Sequence, residues 1–212
     1  MTMKTMEDRL VTERLAAFST SMLSDATGGT GVLAPGLLRY SGSGTIAGRA
    51  ITADCAEGSV QAIFAALEHA SEGDILAVRA PGKSAYLGDM LATNLLRLGL
   101  AGAIIDGFVR DRSAISSMPA SFFGRGLYPV NLRRREPGVA MVPVVIGEVE
   151  VSPGDWIVAD DDGVLALHPD QAEPAIAKAL VGERIEQRIR AYLLEGLCMG
   201  DAVSRAVSDV TG

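Results

Sequence analysis

The segment Tyr86-Leu-Gly-Asp-Met-Leu91 places an acid, Asp89, at an expected helix start. Twenty intervening residues later the adjacent pair Arg110-Asp111 follows a short apolar run. A guanidinium beside a carboxylate just beyond a strand suits the chemistry of a small oxo-acid. The planar fork of Arg110 can clamp a substrate carboxylate through two hydrogen bonds. Free N–H groups at the helix start, from Gly88 through Asp89 and Met90 to Leu91, can hold the same anion. Asp111 can hold a hard divalent cation, which keeps most of its waters when a protein supplies few ligands. Chelated by a carboxylate and a keto oxygen, such a cation is a Lewis acid that stabilises an enolate. A plainer reading stays open, in which the pair is a surface ion pair beside a capped helix.

The elements that must position these groups can be read nearby. Ala103-Ile-Ile-Asp106 is short, apolar and flanked by glycines, the pattern of a core strand. Leucines at 91, 95 and 98 share one helical face, and the helix 89–99 stops at Gly99. The spacing predicts a first helix over 7–22, with Thr20 to Asp25 opening a further short helix that Gly28-Gly29 ends. Another helix is expected over 57–70. Strands are expected over 44–52, 74–79, 103–106, 121–123, 142–146, 156–159 and 164–168, and one or two charged helices over 169–205, with Gly182 as a possible break. Helices alternating with the early strands argue for a parallel α/β arrangement in one domain spanning 1–212, with its core over 30–168.

Bulk properties exclude several functions. The chain has 212 residues, is 48% hydrophobic and carries a formal net charge of −7. A surface this acidic argues against a nucleic-acid partner. The one dense basic run, Arg133-Arg134-Arg135, is followed by Glu136 and reads as a solvated loop. No apolar stretch of ~18 residues suggests a membrane span, and Met1 to Thr20 lacks an apolar signal core. Cys55 and Cys198 are too few for a disulfide framework or zinc site, so a reduced, cytoplasmic protein is the expectation.

His69 and His168 complete no zinc motif or nucleophile triad. Neither the glycines at 28, 29 and 31 nor those at 42, 44 and 48 form a dinucleotide fingerprint. Gly82-Lys83-Ser84 lacks the earlier glycine of a phosphate loop, position 77 being Ala. Asp160-Asp161-Asp162-Gly163 suits a hairpin turn better than a calcium loop. Asp106, beside Gly107, is expected either to orient the site or to make a local Asx-turn.

The run Gly88-Asp-Met-Leu91, the spacing from Asp89 to Arg110-Asp111, and Pro153-Gly-Asp-Trp-Ile-Val-Ala-Asp-Asp-Asp-Gly-Val164 together resemble the RraA-like family. That family includes the class II 4-hydroxy-4-methyl-2-oxoglutarate/4-carboxy-4-hydroxy-2-oxoadipate aldolases. The resemblance implies a three-layer β/β/α swivelling domain with helical extensions at both ends, assembled as a homotrimer or hexamer. It implies Mg2+ or Mn2+ at Asp111, Arg110 and Asp89 as catalytic groups, and cleavage of short 2-oxo dicarboxylates, such as oxaloacetate, to pyruvate. By position, Glu186 is the glutamate that reaches a neighbouring subunit's metal, and Arg125 is a candidate substrate contact. The apolar stripe Ile176, Leu180, Ile185, Ile189 and Leu193 fits an assembly role. The chain departs from the family at Ala114, where aldolases commonly carry an acid three residues after the metal-binding aspartate. A second activity class stays open, because the founding member binds and inhibits an RNA-degrading endonuclease.

Overall fold

Ile75-Leu-Ala-Val and Ala103-Ile-Ile carry apolar side chains at every position, the pattern of strands covered on both faces. A computed structural model describes residues 5–212 and places these runs at the centre of the molecule. The chain begins with α1 (Met6–Ala16), α2 (Thr20–Thr27), β1 (Leu38–Arg39), β2 (Ile46–Asp54), α3 (Gln61–Leu67) and β3 (Ile75–Arg79). It continues through β4 (Ala85–Leu87), α4 (Asp89–Arg97), β5 (Gly102–Val109), α5 (Arg112–Ile115), β6 (Ser121–Leu127) and β7 (Val139–Ala140). Then come β8 (Val144–Ile146), β9 (Val149–Val151), β10 (Trp156–Ala159), β11 (Val164–Leu167), α6 (Pro169–Leu194) and α7 (Met199–Thr211).

The main sheet runs β1-β6-β5-β3-β2-β10-β11, with β4 and β7 paired to the ends of β5 and β2. Strands β2, β3, β5 and β6 are parallel, with Ile75 opposite both Ala50 and Gly102, and Gly102 opposite Ser121. Parallel neighbours need crossover connections, which α3, α4 and α5 supply. Alternation then divides the core. Leu76, Val78, Ala103, Ile105 and Phe122 pack on these helices. Ile75, Ala77, Ile104 and Phe123 instead face Val144, Ile146 and Val151 of the β8–β9 hairpin, with Ile157 and Val164 from β10 and β11. The result is the expected three-layer β/β/α domain. Outside it, α1, α2 and α6 bury Leu15, Leu23 and Ile176 against Trp156 and Leu165. Arg49 binds Asp8 at 2.6 Å and lies 3.9 Å over the Trp156 ring, pinning α1 to the sheet. Burial raises the Asp8 pKa, but bonds from Arg49 and Thr5 outweigh it and hold the carboxyl below its usual range.

Several boundaries differ from expectation. The helix expected over 7–22 is two helices, because Ser19 caps a new one through its hydroxyl, which accepts from Met22 N–H. Asp160 reinforces that start by accepting from Thr20 N–H at 2.7 Å, while the turn Asp160 to Gly163 joins β10 to β11 as expected. The 57–70 helix is shorter, Gln61–Leu67. Strand β5 runs three residues past Asp106. Helix α6 continues unbroken through Gly182, and the turn comes instead at Gly196, where φ is 94°. The C-terminal helix then extends beyond 205 to Thr211.

The α6 stripe finds cover within the chain. Ile185, Ile189 and Leu193 are partly buried and pack with Tyr192 against Ala202 and Ala206 of α7, whereas Leu180 stays 46% exposed. Among the described residues no helix is long and apolar enough to cross a membrane.

Candidate functional site

Helix α4 begins without a capping side chain of its own, because its N-cap is Gly88. The cap comes from the turn that follows the next strand. Arg110 N–H donates to Leu87 O at 2.8 Å, so the chain leaves β4 and β5 side by side at the carboxyl edge of the parallel sheet. Asp111 then adopts a left-handed conformation, φ 58° and ψ 37°, which costs a residue with a β-carbon some strain. This turn points its carboxylate back at α4: Oδ2 accepts from Asp89 N–H at 3.2 Å and lies 3.4 Å from Arg110 Nε. Anions are favoured at a helix N-terminus, and Asp111 fills that role in this chain. Asp89 turns its own carboxylate onto Met90 N–H at 2.8 Å.

Two of the amides expected to hold a substrate carboxylate, those of Asp89 and Met90, are therefore already engaged by protein carboxylates. An incoming anion must share or displace them. Gly88 makes the packing possible. A β-carbon there would lie 3.0 Å from both Cγ and Nε of Arg110 and would overlap Asp111 Oδ2.

A cavity of about 340 Å³ opens beside this turn. Gly88, Asp89, Met90, Leu91 and Arg110 line it together, so the structure brings these five expected substrate contacts to one cavity, without Arg125. Its far side comes from Val60, Phe64, Asn94 and Asn131, which the sequence reading missed. Asn94 was within reach, lying one turn beyond Met90 and Leu91 on α4. Asn131, in the segment after β6, gave no local signal. On the other side of Arg110 a shallower cavity of about 210 Å³ holds Asp111, Arg112 and Tyr128. Arg110 separates the two, and its side chain and that of Asp111 are 30% and 37% exposed.

Other candidates take different roles. Asp106 lies inside β5, where it accepts from Arg125 Nε at 2.6 Å and Gly147 N–H at 3.0 Å. It neither orients the site nor makes a local turn. Arg125 also donates to Pro35 O at 2.6 Å, so it fastens loops to the sheet rather than facing the cavity. His168 caps α6, accepting from Asp170 N–H, and His69 is an exposed residue after α3. Burial, reinforced by nearby Asp54, pushes the Cys55 thiol up to about 12, which closes it as a nucleophile at neutral pH. Arg134 pairs with Glu57 at 3.5 Å. Glu186 lies elsewhere in the chain, in a cavity between α2 and α6, where it pairs with Arg190 at 3.3 Å.

The donors fit a hard divalent cation only in a largely hydrated form. Among the described residues no three His, Cys, Asp or Glu side chains converge as a ready metal cage, and the carboxylate beside Arg110 is that of Asp111, whose Oδ2 already accepts from Asp89 N–H. Ala114, where an acid was missing, is exposed on the single turn of α5, its N–H bonded to Asp111 O at 2.9 Å. One oxygen donor beside a guanidinium suits an ion that keeps its waters and shares the substrate.

Comparison with known proteins bears on this geometry. A protein of Halalkalibacterium halodurans, provisionally named 4-hydroxy-4-methyl-2-oxoglutarate aldolase, is 32% identical over 162 residues, covering 76% of this chain and 77% of its own. Streptomyces coelicolor RraAS2, described as an unusual member of the RNase ES inhibitor RraA protein family, is 28% identical with a TM-score of 0.79, covering 87% of this chain and 98% of that one. An uncharacterized protein of Pseudomonas syringae pv. tomato shares the fold at 23% identity, with a TM-score of 0.81 and 92% of each chain covered. The family model described as Aldolase/RraA matches residues 20–166, the whole span from α2 to β11 that carries the cavity and the Arg110-Asp111 turn; the chain belongs to the RraA-like family.

Proposed function

We propose that this chain is a divalent-metal-dependent carbon–carbon lyase that releases pyruvate, through its enolate, from a short 2-oxo acid. The observation that carries this reading is the cavity wall in which Arg110 meets the start of α4, directly beside Asp111. Arg110 binds the substrate carboxylate and steadies the oxyanion that develops on the neighbouring keto oxygen. The α4 N-terminus contributes its dipole to the same negative charge, and Asp89 orders water at the mouth. Asp111 would hold Mg2+ or Mn2+, which supplies a Lewis acid to the keto oxygen when bound. The family's aldolase-named relatives support this class of chemistry. The same proposal takes residues 1–212 as one domain in the cytoplasm, with both thiols free.

Incubation with oxaloacetate and Mg2+ should yield pyruvate, and excess chelator should abolish the activity until Mg2+ or Mn2+ is returned. Undiminished turnover in chelator would sink the metal-dependent mechanism. The alternative is a non-catalytic protein that masks a partner enzyme, favoured by the likeness to an RNase ES inhibitor family member. Complete absence of turnover with metal present would favour that alternative.

We further propose that Glu186 completes the site of a neighbouring subunit in a homotrimer or hexamer. Glu186 lines a cavity between α2 and α6 that includes no residue of the Arg110-Asp111 turn, which supports a role at another subunit's site. Mixing inactive Asp111→Ala with inactive Glu186→Ala subunits should restore partial activity after subunit exchange. A monomer in light scattering would refute the shared site.

A further inference from the structure

We infer that Arg112 is a specificity-determining residue of this site, holding the distal carboxylate of a short 2-oxo dicarboxylate. This rests on the proposed lyase reading and names the side chain that meets the far end of its substrate. The left-handed turn at Asp111 wraps Arg110, Asp111 and Arg112 around one cavity of about 210 Å³, walled on its other side by Leu127, Tyr128 and Pro129. Asp111 lines this cavity and not the larger one. A 2-oxo acid held between Arg110 and Asp111 therefore has Arg112 within the same enclosure. Two guanidiniums on either side of a metal-binding carboxylate match an acid that carries a carboxylate at each end. The larger cavity, with Arg110 as its one cation among the described residues, is left for uncharged substituents.

Arg112 is available for this task. Other arginines are fasteners: Arg49, Arg79 and Arg125 bind Asp8, Asp54 and Asp106 at 2.5 to 2.6 Å. Arg112 is exposed and makes no ion pair among the described residues, and its helix, Arg112-Ser-Ala-Ile115, carries no carboxylate. Its guanidinium lies 6.0 Å from the Tyr40 ring centroid, the outer limit of a cation–π contact. An incoming carboxylate offers that planar fork two charge-assisted hydrogen bonds instead. Lys83, Arg133 and Arg135 are exposed as well, on loops joined where Leu132 N–H donates to Ser84 Oγ at 3.2 Å, but they line neither cavity.

Calorimetry on the assembled protein with Mg2+ tests the assignment, using ligands that lack a 4-hydroxyl and so cannot be cleaved. 2-Oxoglutarate should bind about tenfold or more tighter than 2-oxopentanoate, the same chain ending in a methyl group, which is the worth of a hydrogen bond between charged groups. Arg112→Ala should erase that preference, while 2-oxopentanoate, which gives Arg112 nothing to hold, binds nearly as before. Arg112→Lys should keep part of the preference. Lys83→Ala, Arg133→Ala and Arg135→Ala should each retain it, and any cation lent by a neighbouring subunit is present in every variant. Equal binding of the two ligands by the native protein overturns the inference. So does a preference that survives Arg112→Ala, and its loss in a loop variant instead moves the distal carboxylate to that loop. Exchange of pyruvate methyl protons in D2O with Mg2+, followed by proton NMR, reports enolate formation with no distal carboxylate involved. Its absence overturns the lyase reading, whatever the two affinities show.

Discussion

Replacing Arg110 with alanine is expected to lower kcat/KM on oxaloacetate by about two to three orders of magnitude, or about 3 kcal/mol or more of transition-state stabilisation, the scale of a lost oxyanion donor. The reason is positional. Among the described residues Arg110 is the one cation lining the cavity, so its loss is expected to leave the substrate carboxylate and the developing oxyanion without that countercharge. Arg110→Lys should rescue poorly, because an ammonium lacks the planar fork. Mn2+ binding, followed by calorimetry, should survive in Arg110→Ala and fail in Asp111→Ala, which also removes the acceptor at 3.2 Å from Asp89 N–H. Asp111→Asn separates those two losses, since an amide oxygen can still cap the helix but carries no charge for a cation. Near-wild-type kinetics for Arg110→Ala would mean that the clamp lies elsewhere.

The second large effect is expected from a methyl group. Gly88→Ala introduces a carbon that overlaps Asp111 Oδ2 and approaches Arg110 Cγ and Nε to 3.0 Å. Its backbone, φ −143° and ψ −171°, is extended and open to any residue, so the substitution carries steric conflict without conformational strain. Both side chains proposed to act must shift. Displacement of reacting groups by about 1 Å can cost on the order of 100-fold in rate, and a loss of that order is expected in kcat/KM. The far-ultraviolet circular dichroism spectrum should remain that of the native fold. Full activity in Gly88→Ala would show that the Arg110-Asp111 turn tolerates repositioning.

Local signals made much of this legible in the sequence. The helix start at Asp89, its stop at Gly99 and the strand ending before Arg110-Asp111 each rest on a few adjacent residues. Gly99 has φ 75°, and its N–H and that of Leu100 bond back to Leu96 O and Leu95 O, the left-handed close that its type suggested. What failed was tertiary. Gly182 does not break α6, because an interior glycine costs only about 1 kcal/mol against alanine and the packing of Ile176 and Ile189 on either side outweighs it. Asp106 and Arg125 lie 19 residues apart and meet only when β5 and β6 pair. Strands of two or three residues, such as β1, β4 and β7, are too short to show a period. The capping of α4 by Asp111 was hidden because it too is tertiary, since nothing near Asp89 announces an acceptor 22 residues away.

The far wall of the cavity has an evolutionary consequence. Phe64, Met90, Asn94 and Asn131 belong to none of the buried clusters among the described residues, whereas Ile75, Ile104, Phe122 and Phe123 carry the core. Phe64 and Met90 are exposed and Asn94 and Asn131 half-buried; exchanges at solvent-facing positions usually alter stability by no more than about 0.5 kcal/mol, while core truncations cost several times that. Selection can therefore rewrite the appetite of this pocket one side chain at a time without first accumulating compensating changes in the scaffold. Divergence within such a lineage should concentrate on those few positions, with the Arg110-Asp111 turn inherited as a fixed inner half.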